Sequence, residues 1–381
     1  MQSTTKRQGL SPIDGRPIEI HVESGRIAAI EPLAGPAPAH WIAPAMIDIQ
    51  VNGFAGVDYN SPDTPQEDLA RSIDVQIATG VARLLPTVIT GSHENICGSL
   101  SNLARARRDL PNGEAFVGFH VEGPWISPLD GPRGAHPVQH CRAATPEEFD
   151  RFQEAAEGGI RLVTLAPEVA GAIPTIEHMA KAGVVVAIGH SNASEADIHN
   201  AIAAGATMST HLGNGAHQII PRHANYITWQ MAADELSAGL IVDGIHLPPA
   251  FVKVAVRAKG ANHVILVTDA APPASCAPGI YHFGHLEVAL TEDQCIRLTD
   301  SGRLAGSALS MDRGLENLIR FSDLDLLGAL RAGTVNAARE IHLKAREGFL
   351  QVGDPADLML FDYDQASGGV TIRETLLGDL N

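Results

Sequence analysis

The chain of 381 residues has few cysteines and no apolar run near the ~18 residues that a membrane span requires. The four cysteines are Cys97, Cys141, Cys276 and Cys295. No two of them form a CxxC pair, which argues against a disulfide framework or a zinc knuckle and favours reduced thiols. Residues 1–15 contain no apolar segment of the kind found in a secretory signal. We therefore expect a cytoplasmic globular protein with no membrane contact.

Positive charge and aromatic rings are also scarce. Lys and Arg number 27 against 44 Asp and Glu, which gives a formal net charge of −17, and aromatic residues make up 4% of the chain. Nucleic acids and anionic membranes are bound by basic surfaces, and single strands by aromatic platforms, so we expect neither as a partner. A small anionic substrate remains compatible, because a few Arg and His side chains can reverse the field in one pocket.

Short apolar runs recur along the chain, with helix-like segments between them. The eight runs are 46–51, 82–89, 115–121, 160–166, 184–189, 207–211, 238–243 and 264–269. They are almost continuously apolar, which is typical of parallel strands buried on both faces. Eight strand–helix repeats over about 250 residues or more predict a (β/α)₈ TIM barrel. A doubly wound sheet is the competing architecture, but no GxGxxG follows the first run.

Both ends of the chain have a different pattern, with short alternating runs and hairpin turns such as Asp14-Gly15 and Gly353-Asp354-Pro355. Neither end is long enough to form a stable core alone. We predict a (β/α)₈ barrel over 46–341 and a small β-sandwich built from 1–45 and 342–381.

Polar residues follow several of the predicted strands, on the side where barrel enzymes carry their active sites. Glu122, His190 and His211 form the two-histidine, one-carboxylate set of a catalytic metal site that leaves one position open for water. Asp269 follows the eighth strand and is suited to act as general base and then general acid. Taken singly, each histidine could be a hydrogen-bonded structural residue, and Asp269 could cap the following helix.

These residues lie in motifs whose order resembles the N-acetylglucosamine-6-phosphate deacetylases of the metal-dependent amidohydrolase superfamily. The motifs are PAMID at 44–48, HVEGPW at 120–125, GAH at 134–136, LAPE at 165–168, GHSNA at 189–193, HLGN at 211–214, DGIH at 243–246, VTDA at 267–270, LAGSALSM at 304–311 and GFLQVGDPADLMLFD at 348–362. Each motif alone is weak, but their number and order are specific, and they cover nearly the whole chain.

The resemblance implies hydrolysis of an N-acetyl amino sugar phosphate to the free amine and acetate. It implies Glu122, His190 and His211 as metal ligands, with Asp269 and His136 as the catalytic residues. The implied substrate-binding residues are Ala135, His136, Asn214, Gly215, Arg222, Asp243, Gly244, Ile245, His246, Leu304, Ala305 and Gly306. It also implies a homodimer, because the phosphate-binding arginine of this family reaches in from a neighbouring subunit. Two alternatives to these binding roles stay open: Arg222 is a solvated loop residue, and residues 304–306 form only a tight turn.

Two sequence features bear on the metal. Many amidohydrolases have His-x-His after the first strand, where this chain has Gln50-Val51-Asn52, and the fourth run ends without a lysine. Both features favour one divalent metal ion per chain. The mixed ligand set predicts zinc, and iron(II) stays open.

Three alternatives remain. The first is an amidohydrolase that acts on another N-acetyl sugar or amide, possibly without phosphate, since loop 213–225 departs from the family pattern around Arg222. The second is a Schiff-base aldolase or isomerase, although no lysine lies at a predicted strand end. The third is a non-catalytic metal-binding or sugar-sensing protein, against which the extra carboxylate of Asp269 argues.

Overall fold

A computed structural model describes residues 5–343 and 348–380; the parts of the predicted terminal segments at 1–4, 344–347 and 381, including Lys344, lie outside that description. The strands are β1 (Thr5–Leu10), β2 (Pro17–Glu23), β3 (Arg26–Pro32), β4 (Trp41–Pro44), β5 (Met46–Val51), β6 (Gly53–Phe54), β7 (Val57–Asp58), β8 (Val81–Ile89), β9 (Phe119–Glu122), β10 (Ile160–Leu165), β11 (Val185–Ile188), β12 (Ala206–Ser209), β13 (Ser237–Ile241), β14 (Val264–Val267), β15 (Gly279–Phe283), β16 (Leu286–Leu290), β17 (Ile296–Leu298), β18 (Leu358–Asp364) and β19 (Gly369–Leu376). The α-helices are α1 (Gln66–Ile77), α2 (His93–Asp109), α3 (Pro146–Ala155), α4 (Ala172–Lys181), α5 (Glu195–Ala204), α6 (Tyr226–Ala232), α7 (Pro249–Lys259), α8 (Met311–Phe321), α9 (Leu326–Ala332) and α10 (Val335–Glu340).

Eight parallel strands form the central barrel, in the order β5, β8, β9, β10, β11, β12, β13, β14. The ring closes where the backbone N–H of Asn52 donates to the carbonyl of Ala270 at 2.7 Å and that of Asp269 donates to Gln50 at 2.8 Å. Each of the eight predicted apolar runs contains or overlaps one of these strands. The predicted (β/α)₈ barrel is confirmed.

Two helices that follow barrel strands begin at helix-start signals in the sequence, which are Thr145 directly before Pro146 and Ser194 three residues before Asp197. The Thr145 hydroxyl accepts a hydrogen bond from the Glu148 N–H at the start of α3. At the start of α5, Ser194 and Asp197 form a reciprocal capping box, as the sequence pattern predicts. Such caps satisfy N–H groups that a helix cannot satisfy internally, and they fix where each loop at the barrel's carboxyl end must stop.

The barrel interior changes from apolar to polar toward the carboxyl ends of its strands. Side chains such as Ile47, Leu162 and Ile265 form a buried apolar cluster. In the polar part, His120 Nε2 lies 2.8 Å from the Thr164 hydroxyl, which lies 2.6 Å from that of Thr210. A hydrogen-bonded polar layer thus lies inside the barrel.

The two ends of the chain pair in one six-stranded sheet, in the order β19, β18, β4, β1, β2, β3. β18 from the C-terminal segment runs antiparallel to β4 from the N-terminal segment. A fully buried ion pair joins this sheet to the barrel, with the Arg83 guanidinium donating to both carboxylate oxygens of Asp357 at 2.7 and 2.9 Å. The boundaries at 46–341 stay a prediction.

A three-stranded antiparallel sheet, β15 to β17, is inserted between β14 and α8. This sheet is not among the elements predicted from the sequence. Residues 304–307 return from this insertion to the barrel, where Ser307 forms a parallel bridge with Ala270. The insertion therefore stands beside the carboxyl end of β14. Across the described ranges, no helix has the length and apolar character needed to cross a bilayer.

Candidate active site

The predicted metal ligands and the predicted acid/base residue all lie at the carboxyl ends of barrel strands. Glu122 is the last residue of β9, while His190, His211 and Asp269 each follow a strand by two residues. All four side chains are buried. The three that follow strands have positive φ angles of 49°, 26° and 50°, which non-glycine residues rarely adopt. Such strain is held in place where the surrounding structure fixes it, and it concentrates at functional sites.

The three predicted ligand atoms converge on one point. Oε1 of Glu122 lies 3.2 Å from Nε2 of His190 and 3.0 Å from Nε2 of His211, and the two nitrogens are 3.1 Å apart. Burial alone would raise the pKa of Glu122, but hydrogen bonds from both histidines hold it well below its usual value. The carboxylate is therefore ionised and faces two imidazoles.

The hydrogen bonds around these ligands suit a cation. Nδ1 of His190 lies 2.9 Å from the Pro132 carbonyl, which can only accept, so Nδ1–H donates there and Nε2 is the ring nitrogen that a cation beside Glu122 would take in place of a proton. Two ring nitrogens 3.1 Å apart, beside one carboxylate oxygen, form the nitrogen and oxygen donor set that a divalent metal takes. The residues present fit the predicted metal.

Asp269 lies beside this cluster and is held by an amide. The Asn52 side-chain N–H donates to Asp269 Oδ1 at 2.7 Å. Burial, followed by the negative charge of Glu122, raises the pKa of Asp269 to about 6. A carboxylate whose pKa lies near the working pH can both take up and release a proton, as a general acid/base must.

His136 is buried at the other side of the cluster, with its ring centroid 4.3 Å from that of His190. Burial, and then the charge of His190, lower the pKa of His136 to about 3, so the ring is neutral. Its Nδ1 lies 2.9 Å from the Thr90 hydroxyl, which lies 3.3 Å from the Glu122 carbonyl. The Thr90 hydroxyl has one hydrogen: donating it to Nδ1, the nearer acceptor, places the proton of the ring on Nε2, whereas donating it to the Glu122 carbonyl places that proton on Nδ1.

His136 is also close enough to the cluster to be considered a ligand. Ligand atoms of Glu122, His136 and His190 all lie within 4.8 Å of one another. The set of Glu122, His190 and His211 is tighter, with 3.0–3.2 Å between its atoms. The distances therefore favour the second set around a single ion, and the roles of these residues stay predictions.

A pocket opens over the cluster and unites most of the predicted substrate-binding residues. Those that line it are Ala135, His136, Asn214, Gly215, His246, Leu304, Ala305 and Gly306. Five further lining residues carry no predicted site role: Asn52, Ile89, Gly134, Phe283 and Leu286. The last two belong to the inserted sheet. The sequence signal that could have identified a hairpin at this place is the turn Gly284-His285 followed by the alternating run LEVAL at 286–290.

Four predicted residues lie outside the pocket lining. Arg222 is exposed in the segment between β12 and α6. Asp243, Gly244 and Ile245 form a turn in which Asp243 Oδ1 accepts the backbone N–H groups of Ile245 and His246 at 2.8 Å. Asp243 Oδ2 lies 2.6 Å from Nδ1 of His246. The carboxylate thus fixes the ring of His246, which does line the pocket.

Known proteins resemble the chain over most of its length. An N-acetylglucosamine-6-phosphate deacetylase of Bacillus subtilis is 32% identical over 86% of this chain and 82% of its own. An N-acetylgalactosamine-6-phosphate deacetylase of Shewanella is 33% identical over 87% and 82%. A solved N-acetyl-D-glucosamine-6-phosphate deacetylase of Mycobacterium smegmatis, a mutant in complex with N-acetyl-D-glucosamine-6-phosphate, superposes with a TM-score of 0.87 at 28% identity, covering 98% of both chains.

The sequence profile of the amidohydrolase family covers the barrel and most of the terminal sheet. It matches residues 41–379, from the start of β4 to beyond the end of β19. The matched region contains the converging ligand atoms and Asp269. The chain belongs to the amidohydrolase family.

Proposed function

We propose that the protein hydrolyses the acetamide of N-acetylglucosamine 6-phosphate to glucosamine 6-phosphate and acetate, in amino-sugar catabolism in the cytoplasm. The observation that carries this proposal is the convergence of Glu122, His190 and His211 beside the buried Asp269. The relatives from Bacillus subtilis and Mycobacterium smegmatis, named for the same activity, support it. A non-catalytic metal site would need no buried carboxylate with a raised pKa beside its ligands.

One divalent metal ion per chain, zinc first and iron(II) second, would be held by Glu122, His190 and His211. When bound, it would supply Lewis acidity that lowers the pKa of water and polarises the amide carbonyl. Gln50 supports a single ion. A second metal site would need a histidine at this position, but the side-chain amide of Gln50 instead donates a hydrogen bond of 3.0 Å to Glu122. Elemental analysis of fully loaded protein should approach one equivalent; two tightly held equivalents with full activity would refute the single site.

The residues of the chain would then transfer one proton from water to the amide nitrogen. Asp269 takes a proton from water while the water oxygen bonds to the acetamide carbon. Nε2–H of His136 donates to the carbonyl oxygen as negative charge develops there. Asp269 returns the proton to nitrogen as the carbon–nitrogen bond breaks, which releases the amine and acetate.

The phosphate would be anchored by Arg222 together with the turn at Asn214 and Gly215 and the ring of His246. Arg222 does not line the pocket of its own chain and is exposed. We therefore propose that it acts across a homodimer, on the pocket of the partner subunit. Arg222→Ala should raise KM for the phosphorylated substrate about 10- to 150-fold, which corresponds to about 1.5–3 kcal/mol for a charged hydrogen bond. Equal effects with the unphosphorylated sugar would remove Arg222 as the anchor.

Acetate release from a panel of sugars tests the function itself. N-acetylglucosamine 6-phosphate should be the preferred substrate, ahead of its unphosphorylated form, with the metal-loaded protein active and the chelated protein inactive. No acetate from any phosphorylated N-acetyl sugar would overturn the proposal.

N-acetylgalactosamine 6-phosphate is the second candidate substrate, because the Shewanella relative named for it is as similar as the others. A Schiff-base mechanism finds no support in the described residues. The only lysine on a strand there is Lys6, in the terminal sheet, while Lys181, Lys253 and Lys259 lie on α4 and α7.

A further inference from the structure

The side-chain amide of Asn52 uses its N–H group in a hydrogen bond, whereas its oxygen has no partner in the described part of the chain. The side chain is 2% exposed and lines the pocket above the predicted ligands. Its N–H group donates to Asp269. Its Oδ1 is buried and has no hydrogen-bond partner among the described residues. A buried acceptor without a partner is costly, so an acceptor left open beside a reacting group is suited to a ligand.

The orientation of this amide follows from its neighbour. An ionised carboxylate can only accept hydrogen bonds, so the NH₂ group of Asn52 must face Asp269 and the oxygen must face away. Hydrogen bonds also fix the backbone from which this side chain extends. The backbone N–H of Asn52 donates to Ala270, and its backbone carbonyl accepts from the side chain of Asn60. Oδ1 of Asn52 is therefore held as an acceptor next to the proton-transfer group.

We propose that Asn52 is a further catalytic residue, whose Oδ1 accepts the hydrogen bond of the scissile amide N–H. In the proposed deacetylation, on which this inference rests, Asp269 must reach the amide nitrogen to give it a proton. The nitrogen already carries one hydrogen, which needs an acceptor on the same side of the pocket. Asn52 supplies that acceptor from the amide that is bonded to Asp269, and so orients the nitrogen for protonation.

A pair of substrates isolates this contact. The acetamide sugar phosphate has the N–H, whereas its 2-O-acetyl analogue has an ester oxygen in that place and can donate nothing. Asn52→Ala should lower kcat/KM for the amide about tenfold more than for the ester, the size of one hydrogen bond made to substrate. The ratio of the two activities does not depend on how much of the variant is folded. Asn52→Asp keeps an acceptor and should hold that ratio within about threefold of the wild-type value.

Gln50→Ala is the matched control. Gln50 lies two residues away on β5 and donates to Glu122, but it does not line the pocket. Its loss should slow both substrates by the same factor, and metal content is measured in every variant. If Asn52→Ala slows amide and ester equally at unchanged metal content, the inference is wrong and Asn52 acts on water or on Asp269 alone. If the wild type releases no acetate from the amide, the proposed function fails instead.

Discussion

The ionisation of Asp269 should set the lower pH limit of activity. Burial and the charge of Glu122 raise its pKa to about 6, and a general base works only while it is deprotonated. Activity is therefore present above this pKa and lost as the pH falls through it, and a bound cation, which favours the carboxylate, moves the loss to lower pH. We expect kcat/KM for acetate release to fall about tenfold per pH unit on the acid side. A midpoint well above pH 6 would contradict this assignment.

Asp269→Asn keeps the shape of the side chain and removes the proton acceptor. Turnover should fall by at least about 10²–10⁴-fold, the usual share of general acid/base catalysis, while metal content stays the same. Asp48→Asn is the matched control, because Asp48 is equally buried in the barrel, bonds to Thr268 and does not line the pocket. Near-normal acetate release by the Asp269 variant would remove this residue from the mechanism.

Thr90 should act through the proton of His136. Thr90→Val keeps the volume and removes the hydroxyl that lies 2.9 Å from Nδ1 of His136. Without it the ring can carry its proton on Nδ1, and Nε2 can no longer donate to the developing oxyanion. We expect kcat to fall about tenfold with little change in KM, and Thr90→Ser to restore it, as measured by steady-state acetate release. A loss that appears only in KM would indicate a role in substrate binding.

At the scale of whole elements, the inserted sheet of β15 to β17 provides one wall of the pocket through Phe283 and Leu286. Leu286→Ala should raise KM about 3- to 10-fold and leave kcat almost unchanged, because it removes apolar contact area without touching the proton path. Ile280→Ala, at a 62% exposed position on the same sheet, should change neither constant. Equal effects of both substitutions would mean that the sheet matters only for stability.

The barrel and the insertion differ in how far the sequence predicts them. Barrel strands such as β11 are fully buried, so runs such as 184–189 are almost continuously apolar and can be recognised without knowledge of the fold. The insertion has strands of three to five residues with one exposed face, and such short alternating segments resemble loops. Local chemistry predicts the cap at Ser194, since its partner Asp197 is three residues away.

The hydrogen bonds of the site that could not be predicted from the sequence join residues that are far apart in the chain. Glu122, His190 and Asp269 are predictable because each follows a strand, and parallel strands of a barrel bring their carboxyl ends together. The bond between Thr90 and His136 joins residues 46 positions apart, and that between Asn52 and Asp269 joins residues 217 apart. No local pattern encodes these pairs, because they depend on side-chain directions that only the folded barrel sets.

At the scale of the whole molecule, Arg83 and Asp357 hold the barrel to the terminal sheet. Both side chains are fully buried, so Arg83→Met leaves a carboxylate in the core without its main partner. The free energy of unfolding should fall by about 3–5 kcal/mol, measured by urea denaturation. Arg108→Met removes an exposed pair with Asp109 and Glu157 and should cost less than about 1 kcal/mol.

A second substitution tests whether that loss of stability comes from separating the buried Asp357 carboxylate from the Arg83 guanidinium. Arg83→Met combined with Asp357→Leu removes both charges and should recover part of the stability, because apolar groups can replace a buried ion pair. A double variant that is less stable than Arg83→Met would show that packing, rather than the loss of the guanidinium from the carboxylate, dominates.

The same ion pair has a consequence for synthesis on the ribosome. Arg83 is translated 274 residues before Asp357, and β4 before its neighbour β18. Translation proceeds at about 5–20 residues per second, so Asp357 is synthesised roughly 15 to 55 seconds after Arg83. The interval between β4 and β18 is slightly longer. All eight barrel strands have been made by then, so a folded nascent barrel keeps the Arg83 guanidinium and the β18 edge of β4 uncovered until Asp357 and β18 have been synthesised. A chaperone that shields unpaired strand edges would be most useful to this chain during that interval.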